Sequence, residues 1–118
     1  MTLINRVGRV MGTAVTVTVP ADREDMFEAA FGRLEWVDRT FSVYRPDSQI
    51  SRIGHRDLAA ADAHPLVQRV LDECEQLEQA TNGWFRPRAP ERGRPLDPSA
   101  YVKGWAVDLV IDDLIGAG

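Results

Sequence analysis

One run in this chain alternates as a β-strand does. In residues 7–19, VGRVMGTAVTVTV, Val15, Val17 and Val19 alternate with Ala14, Thr16 and Thr18, and β-branched residues dominate. Pro20 ends the run. Gly12 interrupts it, which predicts a bulge or a close backbone approach. No other stretch makes a convincing strand. A lone strand leaves its backbone donors and acceptors unpaired, and even a two-stranded hairpin is marginal by itself. The chain also stops at GAG, just after a helical stretch, where a further strand is expected. The expectation is an incomplete sheet, finished by a C-terminal segment beyond Gly118 or by another chain.

Three helices are legible. Residues 23–39 follow a capping Asp22 and place Phe27, Ala30, Phe31, Leu34 and Val37 on one face. Residues 65–80 open on Pro65, carry a stripe of Leu66, Val67, Val70, Leu71, Cys74 and Leu77, and stop at Asn82-Gly83. Residues 98–115 take Asp97 as cap, Pro98 as first residue and Gly116 as stop. Between the first two lie an extended piece, a Pro-Asp turn and one or two helical turns from Asp47 or Ser48. A loop over 54–64 follows, with room for a short strand at 57–60. Residues 83–96 form a Pro/Gly/Arg loop. The fold class is α+β, a sheet covered by helices, and 118 residues suit one domain.

Composition narrows the function. The net charge of −4 leaves no overall basic footprint for nucleic acid. The stretch RPRAPERGR (86–94) is a local exception, with four arginines against one glutamate. Its arginines face phosphate or form a solvated loop. One cysteine permits no internal disulfide, and two scattered histidines make no zinc cluster. No run approaches the ~20 apolar residues of a membrane span, and no leader pattern opens the chain. The expected location is cytoplasmic.

Four short stretches could carry chemistry. In MGT (11–13), Gly12 admits a ligand to the backbone and Met11 offers a soft contact; the alternative is a bulge beside a core methionine. In FSVYRPDSQISR (41–52), Tyr44 stacks on a flat ring or packs half-buried, with Ser48 a helix cap. In TNGWFRPR (81–88), Trp84 and Phe85 form a slot for a planar ligand or plug the core. In DPSAYVKGWAVD (97–108), a helix N-terminus presents amides and a partial positive charge, and Lys103 adds a full one. That cation sits at the unfavourable end of the helix dipole, and a bound anion would offset it. The alternative is a plain cap and a solvated lysine. Cys74 is core.

Taken in order, MGT, SVYRPDSQISRI, TNGWFRP and DPSAYVKGWAVD resemble the ApbE-like flavin transferases, the FAD:protein FMN transferases, over about residues 8–118. Each stretch is short; their order and the closing DPSxxVKGWAxD signature are specific. The match covers the N-terminal half of that family's domain, which implies a T-fold-like α+β domain truncated at its C-terminus, with residues 1–118 its N-terminal part.

The resemblance implies a reaction and a set of residues. FMN moves from FAD to a threonine hydroxyl of an acceptor protein and AMP leaves, with Mg2+ assisting. It places Met11, Tyr44, Trp84, Phe85, Arg86, Asp97 and Lys103 on FAD and the Ala100 carbonyl on magnesium. The second half of the family domain supplies an aspartate and a threonine to the metal, so the chain alone is expected to be inactive. It departs from the family at Arg86, where an aspartate is usual, and at Ile53-Gly54, where Leu-Asn is usual. A flavin-binding module without transfer activity is the alternative. Open sheet edges also suggest oligomers.

Overall fold

The computed structural model describes residues 1–90, 93 and 95–117. The elements run β1 (Leu3–Val10), β2 (Thr13–Pro20), α1 (Asp25–Phe41), α2 (Gln49–Gly54), a 3-10 turn (Ala60–Asp62), α3 (Pro65–Ala80) and α4 (Ser99–Ala117). They fall into two compact units, Met1–Asp38 with Trp105–Gly118, and Arg39–Gly104.

The first unit corrects the single strand over 7–19. β1 and β2 pair antiparallel, with Ile4 opposite Val19, Gly8 opposite Val15 and Val10 opposite Thr13. Met11 and Gly12 are the two residues between them, with φ of 55° and 70°. Positive φ at both central positions is the requirement of a type I′ hairpin turn. Gly12 therefore reverses the chain and makes no bulge. Met11 takes the same left-handed conformation with a side chain, at a cost of about 1 kcal/mol. The sheet has two strands among the described residues.

One face of the hairpin meets α1. The Arg6 guanidinium lies 4.5 Å from the centre of the Phe27 ring. Phe27, Ala30, Leu34 and Val37 are buried, as the periodicity predicts. The helix starts at Asp25, two residues late, and runs on to Phe41, which is buried and extends the apolar stripe by a turn. Arg33 grips Asp113 of α4 through Nε and Nη2, at 2.7 and 3.3 Å. α4 continues through Gly116, which is no stop. Val107, Ile111 and Ile115 form an exposed apolar row along it.

The second unit is built on α3, whose bounds match the sequence expectation. Val67, Val70 and Cys74 are buried, and Leu77 sits at the stripe's exposed edge. His64 caps the helix, its Nδ1 accepting from the Leu66 amide at 3.0 Å. At the other end the Asn82 amide bonds to the Gln79 carbonyl and the Gly83 amide to the Glu78 carbonyl, with Asn82 at φ 52°. These paired bonds are a Schellman motif. α2 ends in the same way around Arg56, at φ 62°. The turn that follows it displaces the short strand expected at 57–60. Gly54 lies close to residues 95–96; a Cβ there would stand 3.4 Å from the Leu96 Cβ.

Gly8 provides a test of the hairpin packing. A Cβ built on it would fall 2.7 Å from Cε1 of Phe31. Gly8→Ala is expected to destabilise the protein by about 1–2 kcal/mol by overpacking, measured by denaturant unfolding. Trimming the ring in Gly8→Ala/Phe31→Leu should recover part of the loss.

Candidate functional site

The second unit holds a cavity of about 450 Å3, lined by Trp84, Phe85, Arg86, Pro87 and Ala89 on one side and by Asp97, Ser99 and Ala100 on the other. That volume is in the range of small-molecule sites. The first wall is the loop leaving α3, and the second is the start of α4.

The first wall is set by how α3 ends. After the Schellman turn the chain reverses, and the Trp84 amide bonds back to the Thr81 carbonyl at 3.2 Å. The Thr81 hydroxyl donates to the Leu77 carbonyl at 2.8 Å and accepts from the Phe85 amide at 3.1 Å. The aromatic pair is thereby held against the helix end. Phe85 is half-buried, while Trp84 is 91% exposed. Trp84 is no core plug. It presents a large apolar face to solvent, which favours stacking on a flat ring.

The second wall is set by Asp97. Its carboxylate accepts from the Ser99 amide at 3.0 Å and from the Ser99 hydroxyl, capping α4 as expected. Its own amide donates to the Pro87 carbonyl at 2.7 Å, joining the two walls directly. Pro98 is buried and its carbonyl accepts from the Tyr101 and Val102 amides. Ala100 is exposed in the first turn of α4. The Tyr101 hydroxyl donates to Oε2 of Glu73 on α3. Removal from water, then the Glu73 carboxylate, pushes the Tyr101 phenol up to about 12.

Of the residues singled out from the sequence, Trp84, Phe85, Arg86, Asp97 and Ala100 come together around the cavity. Lys103 lies one turn further along α4, exposed and outside the lining. Tyr44 belongs to the same unit without lining the cavity, and is 79% exposed. Its loop is knit by Ser48, whose hydroxyl donates to the Ser42 carbonyl at 2.7 Å and accepts from the Ser51 amide at 3.0 Å. Met11 belongs to the other unit, at the hairpin turn. Arg92 and Arg94 lie outside the described residues. Sequence reasoning missed Thr81, Ser99 and the Glu73–Tyr101 pair. Threonine before Asn-Gly was the one available signal, since a hydroxyl at a helix end often bonds back to the last carbonyls.

The architecture is that of a solved flavin transferase. The structure of the flavin transferase ApbE from Vibrio cholerae matches with a TM-score of 0.79 at 20% identity, over 98% of this chain and 54% of that one. A mutant of the same protein matches with a TM-score of 0.81 at 20% identity and the same coverage. The chain thus spans about half the length of these structures. No curated protein matches the sequence. The ApbE family model matches residues 11–91, and the chain belongs to the ApbE family.

The Tyr101 shift has a measurable sign. A phenol whose folded pKa is raised from 10.0 to about 12 adds stability that is fully present below the unfolded value. That stability is lost as pH rises through the folded value. Unfolding free energy should therefore fall between pH 10 and about 12, and fall less in Tyr101→Phe, as read by denaturant titrations across that window.

Proposed function

We propose that this chain is the FAD-binding portion of an FAD:protein FMN transferase. The observation that carries the reading is the exposed Trp84 indole on the rim of the cavity. It supplies a flat face for a ring of FAD, and the start of α4 lies across the same cavity for the pyrophosphate. Lys103 adds positive charge one turn further along. Arg86, on the lining where the family usually has aspartate, is a second cation for phosphate. Tyr44 and Met11 are proposed as further FAD contacts.

In the proposed reaction a threonine hydroxyl of an acceptor protein attacks the FMN phosphorus of FAD. The new P–O bond forms as the bond to the AMP phosphate breaks, and AMP leaves. The part assigned to this chain is to bind FAD and orient its pyrophosphate. Magnesium would neutralise charge on the pyrophosphate, but it takes six oxygen ligands, commonly with one or two carboxylates. Here the Ala100 carbonyl is neutral, and the Asp97 carboxylate on the same lining is engaged by Ser99. Among the described residues no three His, Cys, Asp or Glu side chains converge. These residues do not make up a magnesium site by themselves. Arg86 in place of an acidic residue supports a second reading, a flavin-binding module without transfer activity.

Two experiments test this. Incubated with FAD, magnesium and a threonine-bearing acceptor, the 118-residue chain should produce no covalent flavin on a denaturing gel, whereas a longer chain supplying the rest of the domain should. A fluorescent acceptor band from the short chain would overturn the assignment of the missing chemistry to that remainder. Separately, Lys103→Ala should raise the dissociation constant for FAD about two- to fivefold at low salt, and less at high salt, because an exposed charge contact is weak and screened. An unchanged constant at low salt removes Lys103 from the site.

A further inference from the structure

The two walls of the cavity come from different helices. The 84–89 loop hangs from the C-terminal end of α3, and Asp97, Ser99 and Ala100 sit at the start of α4. Their relative position is therefore set by how α3 and the first turn of α4 are fastened together. Val70 and Cys74 on α3 and Val102 on α4 are all packed into buried core positions. Such packing is non-directional and tolerates small sliding. A directional contact exists as well. Tyr101, next in the chain to Ala100, donates its hydroxyl to Oε2 of Glu73. The other oxygen of Glu73 faces Nε of Arg69, one turn earlier on α3, at 3.4 Å. Both Tyr101 and Glu73 are half-buried.

We infer that Glu73 and Tyr101 are positioning residues for FAD, fixing the start of α4 against the helix that carries the aromatic loop. The inference rests on reading this cavity as the FAD site. Removing the bond leaves the buried packing in place but frees the first turn of α4 to shift along α3. The Asp97 amide, bonded to the Pro87 carbonyl across the cavity, would register that shift first.

FAD is titrated into the wild-type chain and into Tyr101→Phe, Glu73→Ala, Glu73→Gln and the Glu73→Ala/Tyr101→Phe pair, followed by tryptophan fluorescence. Thermal melts and amide exchange at Asp97 are measured in parallel. Tyr101→Phe and Glu73→Ala are each expected to weaken FAD binding about three- to tenfold, and the double variant no more than either single, as for two halves of one contact. Glu73→Gln keeps an oxygen that accepts from Tyr101 and should stay within about twofold of wild type. Exchange at Asp97 should quicken in Tyr101→Phe and Glu73→Ala by more than their melting shifts explain. Wild-type affinity in Tyr101→Phe, or additive losses in the double variant, would overturn the inference. If the wild-type chain binds no FAD even when a longer chain supplies the rest of the domain, the reading of the cavity fails instead. Unchanged Asp97 exchange in Tyr101→Phe would then overturn the positioning role on its own.

Discussion

Asp97 is held at both ends, and the cavity depends on that. Its carboxylate closes the open amide of Ser99 at the start of α4, and its own amide reaches the Pro87 carbonyl on the opposite wall. One residue thus starts a helix and ties it to the loop that faces it. A capping side chain is worth about 1 kcal/mol to a helix. Here the same cap also decides where the first turn of α4 stands. Any group bound between the walls would meet a gap whose width Asp97 sets from one end and the Glu73–Tyr101 bond from the other.

The aromatic wall shows how a helix ending can shape a site. The Schellman turn at Asn82-Gly83 stops α3 and sends the chain back, while the Thr81 hydroxyl takes the Phe85 amide. Phe85 is drawn partly inward and Trp84 is left outside. Exposing an indole to this extent forfeits burial of a large apolar side chain. The exposure accompanies the turn, in which the Trp84 amide donates to the Thr81 carbonyl and the Phe85 amide to the Thr81 hydroxyl.

What was legible in the sequence follows from which interactions are local. α3 was readable to its ends because Pro65, the apolar stripe and Asn-Gly all lie within the segment they govern. The Asp97 cap was readable for the same reason. The hairpin was not, because Met11 is a poor residue for a left-handed turn and β1 lacks the strict alternation of β2. The turn had to be specified by pairing along eight residues of each strand. At the site, the Trp84–Arg86 stretch and Asp97 were legible as separate motifs. Their meeting around one cavity was implied only by the family resemblance and not by spacing, since it depends on tertiary contacts such as the Asp97 amide on the Pro87 carbonyl. The Glu73–Tyr101 pair is invisible to spacing, as 28 residues separate its members.

Cys74 is buried on α3, 1% exposed, with its thiol pushed up to about 11 chiefly by burial. A thiol attacks alkylating reagents only as thiolate and only when reached, so this sulfur is doubly silent in the folded chain. It becomes an internal sentinel. Maleimide uptake reports opening of the α3 core, and a reporter cysteine placed on the exposed aromatic loop could be labelled selectively without removing the native one.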